Sequence, residues 1–311
     1  MKGALLLCWC VLTAVNYTAA HQAQPPLVRD ALRIWNGIPP TAEGLQRALP
    51  SHLRAGGMAA LGLAAAWFAG AAPAAWFGTG VPPLRLVLGV GLGSLAIFAT
   101  GLAGLWLPGV FLAGGGLLAA TALIVPRKRR ARLVAPVAGS PLAPRWAAVA
   151  AVAIAVASSA VNLLGALAPE VGYDSLIQHL GDPREYLSVH KVYFNDLSFL
   201  AQHPAGVEML YAWLLPHGGD TAAKVAHWSL GLLGVWTFWW WARAAFPFRD
   251  AAVLAALLCL TPYAGILAAR AYVDLGLSLF GLAALLAPWG SWLQGTFIGF
   301  AIGAKYLGGF F

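Results

Sequence analysis

The side chains capable of chemistry crowd into one stretch of this 311-residue chain. From Pro169 to His227, 59 residues hold seven of the eleven acids: Glu170, Asp174, Asp182, Glu185, Asp196, Glu208 and Asp220. The same stretch holds five of the seven histidines: His179, His190, His203, His217 and His227. The histidine spacings match no compact ligand set such as HExxH, so a wet interfacial surface is expected rather than a metal site. A divalent cation as cofactor is left open. Asp174 stands apart because it follows an apolar run and the pair Gly172-Tyr173. That order sets a carboxylate at a membrane–water boundary, where a lipid-linked substrate presents its head group; a helix N-cap is the structural alternative. Lys305 lies in another apolar run, about 18 Å from its start at 1.5 Å per residue. A lysine inside an apolar span is costly and points to function, with snorkelling to the head groups as the alternative. Arg270 and Asp274, four apart, can pair with each other or meet substrate.

The elements that must position these groups are membrane helices. The chain is 60% apolar and 10% charged, with a mean hydropathy of +0.74. Soluble domains carry about 25% charged residues, so a water-soluble globular class is excluded, as are disordered and nucleic-acid-binding classes. The net charge of +8 does not reverse this, because five basic residues lie together between Arg127 and Arg132 beside an apolar run. Such a cluster marks the cytoplasmic side. Cys8, Cys10 and Cys259 all lie in apolar stretches, which suggests neither a disulfide framework nor a metal site.

A bilayer core takes about 20 apolar residues in a helix. Nine candidate spans follow, near 4–20, 57–79, 84–106, 108–126, 146–168, 224–245, 251–268, 272–288 and 293–311. The expected architecture is all-α: a polytopic transmembrane bundle with a large external loop carrying short interfacial helices. Residues 1–20 are a first span or a signal-like segment, with Thr18-Ala19-Ala20 as a cleavage-like sequence. Residues 21–55 form a polar, interfacial segment in which Val28–Trp35 could lie on the membrane surface. Residues 56–145 hold the N-terminal helices and the basic loop, and residues 146–311 a core with the external loop at 169–222. With Arg127–Arg132 inside, that loop lies outside, although the four arginines of 21–55 then fall outside too.

The loop is longer than a connector between spans needs, and its aromatics (Tyr173, Tyr186, Tyr193, Phe194, Tyr211 and Trp213 among them) argue against disorder. YDSLIQHL reads as a helical turn with Asp174 and Gln178 on one face and His179 beside Asp182. HPAGVEMLYAWLL reads as a second amphipathic helix beginning at Pro204. Both are expected to lie on the outer membrane surface. Gly89, Gly91 and Gly93 form a GxGxG mid-span, which fits helix packing because a dinucleotide site needs a βαβ setting. Gly295, Gly299 and Gly303 are expected to form a face for close backbone approach. The sequon Asn16-Tyr17-Thr18 falls inside an apolar stretch and is discounted.

Five stretches then carry a resemblance: GYDSLIQHLGDPREYL, HPAGVEMLY, GGDTAAKVAHW, ARAYVDLGLSLF and GFAIGAKYLG. Their order and intervals resemble bacterial GT-C glycosyltransferases, similar to the protein mannosyltransferase and aminoarabinose transferase groups, over about residues 161–311. The resemblance implies an enzyme of the bacterial cytoplasmic membrane that takes sugar from a polyprenyl-phosphate donor at the outer face. It implies that Asp174 is the base, drawing a proton from an acceptor hydroxyl as its oxygen attacks the anomeric carbon. The leaving lipid phosphate calls for a cation, for which Lys305 and then Arg270 are the candidates. His179, Glu208 and Asp274 join them as substrate-positioning residues. The chain departs from the family in placing four candidate spans before the loop. Its stop at Phe311, straight after an apolar run, leads us to expect a truncated or partial enzyme. The implied partners are the lipid-linked sugar and membrane lipids, with no nucleic acid. A transporter or flippase of a lipid-linked sugar, and an inactive membrane scaffold, are the alternatives; a transporter should show paired broken helices in two related halves.

Overall fold

A computed structural model describes residues 42–107, 139–194 and 203–311. Among the described residues the structure is all-helical. The helices are α1 (Ala42–Ala69), α2 (Ala71–Trp76), α3 (Pro82–Leu102), α4 (Arg145–Leu167), α5 (Gly181–Ser188), α6 (Gly206–Ala245), α7 (Phe248–Cys259), α8 (Pro262–Ala268), α9 (Asp274–Leu286) and α10 (Trp292–Ala304). A π-turn spans Ser175–His179, and a 3₁₀ turn spans Tyr306–Phe310.

Among the described residues three helical stretches are long and apolar enough to cross a membrane: Leu49–Trp76, α3 and α4. A fourth follows if α7 and α8, bent by 63°, act as one broken span. Their outward surfaces suit lipid. Along α4, Val149, Val152, Ile154, Val156, Val161 and Leu164 are all exposed, a continuous apolar surface that water would not tolerate on a monomer. The expected spans at 272–288 and 293–311 shrink to α9 and α10, each of 13 residues. Helices of that length reach about 20 Å, short of the roughly 30 Å hydrocarbon core. The expected spans at 4–20 and 108–126, the Val28–Trp35 helix and the basic run Arg127–Arg132 lie outside the described residues.

Helix α1 begins at Ala42, inside the segment read from the sequence as polar and interfacial. The second interfacial helix is also replaced. HPAGVEMLYAWLL supplies the first turns of the 40-residue α6, and Val207, Met209, Tyr211, Ala212 and Leu214 are buried in the bundle. Once Tyr211, Trp213 and their neighbours find helical partners, burial wins over the interface. Helix α6 is interrupted at Gly219, whose φ of 63° is non-helical, just after the internal Pro216; proline removes a ladder hydrogen bond and makes this the natural break point.

Helices α1 and α3 meet backbone to backbone. A methyl group on Gly89 would overlap the Ala66 carbonyl oxygen, and one on Gly70 would overlap that of Arg85. A methyl on Gly91 would strike the Phe300 ring of α10. The packing expectation for the GxGxG therefore holds at Gly89 and Gly91, whereas Gly93 meets open space. The glycine stripe of α10 behaves differently: Cβ atoms at Gly295, Gly299 and Gly303 would meet nothing within 4 Å. Only the Gly303 carbonyl is approached, 2.7 Å from where a Cβ on Gly206 would sit. We expect Gly89→Leu to lower the melting temperature of the detergent-solubilised protein sharply, since overpacking costs about 1–3 kcal/mol even where side chains can shift. Gly299→Ala should leave it nearly unchanged. Equal melting temperatures for the two variants, measured side by side, would contradict the crossing.

Candidate functional site

One end of the bundle gathers the C-terminus of α4, the N-termini of α6 and α9, and the C-termini of α8 and α10. Its connections are held by polar side chains that bond to backbone. The Glu170 carboxylate accepts from the N–H groups of Val171 (2.9 Å) and Gly172 (2.8 Å) through Oε1, and from Ala271 N–H (2.9 Å) through Oε2. It thereby stitches the segment after α4 to the segment before α9. Lys224, 2% exposed, donates to the carbonyls of Ala168 (2.7 Å) and Pro169 (3.4 Å). His227 is fully buried. Its Nε2 accepts from Leu275 N–H (3.1 Å), so its Nδ1 carries the proton and donates to the carbonyls of Arg270 (2.9 Å) and Leu267 (3.1 Å). The two ends of the 268–275 connection are thus fixed from α6.

Tyr272 lies at the middle of that connection. Arg270 stands over its ring at 5.9 Å, and the His179 ring meets it edge-on at 5.6 Å. Its carbonyl accepts the Tyr211 hydroxyl from α6. Burial raises the Tyr272 phenol above its ordinary pKa of 10.0; the Arg270 charge opposes this and Asp174 adds to it. Among the residues singled out from sequence, the structure forms two direct pairs. His179 Nδ1 and Glu208 Oε1 are 2.8 Å apart with both side chains buried. Lys305 Nζ lies 3.0 Å from Asp274 Oδ1 in a partly exposed ion pair.

These pairs change several expectations. Asp274 bonds to Lys305 rather than to Arg270, because the backbone turns between Arg270 and the start of α9 and breaks the helical spacing the pairing required. Lys305 is not inside a helix: α10 ends at Ala304, and Lys305 is extended (φ −162°, ψ 139°). Its ammonium sits at a helix end with a carboxylate partner, which removes much of the cost of an unpaired charge in lipid. His179 pairs with Glu208 rather than Asp182. Asp174 is exposed, precedes the π-turn and makes no side-chain capping bond, so its carboxylate is not spent as a helix cap. Asp174, Arg270, Tyr272 and His179 therefore share one neighbourhood, with the Asp274–Lys305 pair following from the same connection.

Glu170, Lys224, His227 and Tyr272 were missed as site-building residues. Lys224 and His227 fall inside GGDTAAKVAHW, and Tyr272 inside ARAYVDLGLSLF. Nothing in spacing distinguishes a side chain that grips a distant carbonyl from one that faces solvent. Among the described residues no group of three or more His, Cys, Asp or Glu side chains could hold a metal ion. A cleft of about 490 Å³ opens beside the break in α6, where Arg184 and Asp220 form an ion pair. An apolar crevice of about 170 Å³ lies between α1, α3 and α6, with Tyr211 in its wall. No protein-family model, curated protein or solved structure matches the chain.

Asp182, at the start of α5, has its carboxyl raised from 3.8 to about 6 by burial and then by the charges of Glu208 and Glu185. The folded state therefore holds this proton more tightly than the unfolded state does. Stability from this group is fully present below pH 3.8 and is lost as pH rises towards about 6. Half-exposure to water keeps the effect modest. Asp182→Asn should accordingly gain melting temperature relative to wild type as pH rises from about 4 to 6. A constant difference between the two proteins across that range would refute the assignment.

Proposed function

We propose that this chain is a membrane glycosyltransferase of the GT-C type, or part of one, acting at the outer face of a bacterial cytoplasmic membrane. In this reading it moves a sugar from a polyprenyl-phosphate donor to an acceptor hydroxyl. The supporting observation is an exposed, uncapped Asp174 whose charge acts on Tyr272, with Arg270 over the same ring and the Asp274–Lys305 pair two residues further along that connection. Asp174 takes the proton of the attacking hydroxyl. The C–O bond from acceptor oxygen to anomeric carbon forms as the bond to the donor phosphate oxygen breaks, and the phosphate leaves with the electron pair. Arg270 stabilises that charge. Lys305 does so after exchanging Asp274 for phosphate, a swap its partial exposure permits. A polytopic topology with the segment between α4 and α6 on the outer side belongs to the same proposal.

The second reading, a transporter of the same lipid-linked sugar, draws on the bent pair α7–α8, since broken helices mark transporter sites. Purified protein in liposomes with a labelled polyprenyl-phosphate sugar separates the two. Asp174→Asn should abolish transfer, by at least about 10²-fold as expected for loss of a general base, while expression is normal. Transfer at the wild-type rate would remove Asp174 as the base. Flux across the bilayer with no transferred product would establish the transporter. Sidedness is tested separately at Ser188, which is exposed. A cysteine placed there should react with an impermeant thiol reagent on intact spheroplasts; labelling only after lysis would invert the topology.

A further inference from the structure

Between Asp174 and His179 the chain takes an uncommon path. Leu180 N–H donates to the Ser175 carbonyl at 2.8 Å, closing a turn five residues long over Ser175–His179. In an α-helix, five residues advance the chain by about 1.4 turns, which would carry His179 round to a different face from Asp174. The wider turn closes after five residues and changes that angle, leaving His179 buried while Asp174 stays exposed. Single π-turns of this kind are rare and cluster at functional sites. Something must hold the register, because helix formation normally favours the tighter ladder.

Ser175 is fully buried at one end of the turn and His179 nearly so at the other. His179 is fastened across 29 residues of sequence to Glu208, 4% exposed, in the first turn of α6. The Tyr272 ring closes on the His179 edge. Nothing comparable holds Asp174, which is exposed. The second oxygen of Glu208 is buried with no hydrogen-bond partner, so the Glu208 side chain is committed to His179 alone.

We infer that Glu208 is a positioning residue for Asp174: its bond to His179 latches the π-turn and so sets where the Asp174 carboxylate points. This rests on the reading of Asp174 as the base, and the latch itself is testable without it. Glu208→Leu removes the acceptor at similar volume, whereas Glu208→Gln keeps an oxygen that His179 Nδ1 can reach. Hydrogen exchange of full-length protein in detergent reads the latch directly. The peptide containing Leu180 should exchange about tenfold faster in Glu208→Leu, as expected for one lost buried hydrogen bond, and near wild type in Glu208→Gln, with α3 peptides unchanged. His179→Phe opens the same bond from the other side and serves if Glu208→Leu does not fold. Turnover with the labelled polyprenyl-phosphate sugar reads the positioning. Glu208→Leu should lower kcat by about 10²-fold, the cost of a misplaced reacting group, with KM for the donor nearly constant and Glu208→Gln restoring most of the rate. Unchanged exchange in Glu208→Leu overturns the latch. Altered exchange with wild-type kcat, or a Gln variant as impaired as Leu, overturns the positioning role. A wild-type chain with no transfer activity sinks the reading of Asp174 and Glu208's tie to turnover with it, while the exchange result still decides the latch.

Discussion

A polar group carried into an apolar helical bundle must find a hydrogen-bond partner or cost the fold several kcal/mol. In this protein the partners are largely backbone atoms of two connections, the segment after α4 and the segment between α8 and α9. Glu170 takes three amide hydrogens from the two connections, Lys224 donates to two carbonyls after α4, and His227 uses both ring nitrogens on the segment between α8 and α9. Each bond is modest by itself, about 1 kcal/mol net for a neutral pair. Together they place irregular chain at one end of the bundle where neither water nor a helical ladder would otherwise satisfy it. Tyr272, Arg270 and Asp274 owe their positions to that arrangement.

A comparable device holds the other part of the molecule. Asp250, in the first turn of α7, accepts from the N–H groups of Leu142 (2.9 Å) and Ala143 (2.8 Å), just before α4 begins. Acidic side chains in this chain are few, and Glu170 and Asp250 are both used to hold backbone. Asp174 differs from both in being exposed and free of any capping role, and that contrast gives it its weight in the functional reading.

Much of the helical character was legible because hydropathy reports it directly: α3 and α4 fall nearly where apolar runs place them. The concentration of acids and histidines after Pro169 was legible too, and two of them, His179 and Glu208, form a buried pair. What escaped was everything set by tertiary partners. The period of an α-helix aligns Asp174 with Gln178, and no local signal announces that a distant Glu208 will widen the turn. Arg270 and Asp274 have ideal spacing for an ion pair, yet the backbone leaves the helix between them and Lys305 arrives from α10. Gly89 and Gly299 look alike in sequence; only one has another backbone against it. HPAGVEMLYAWLL shows a surface pattern, but the surrounding helices supply enough apolar area to bury it.

The break in α6 falls between Glu208 and Lys224. One side of the fracture carries the carboxyl that grips His179; the other carries the lysine and histidine that clasp the two connections. At Gly219 the ladder of helical bonds is already cut, so the two rods meet at a ready-made joint. Tyr211 before the fracture and His227 after it both clasp the stretch between α8 and α9, so one chain segment braces that stretch with two separate rods.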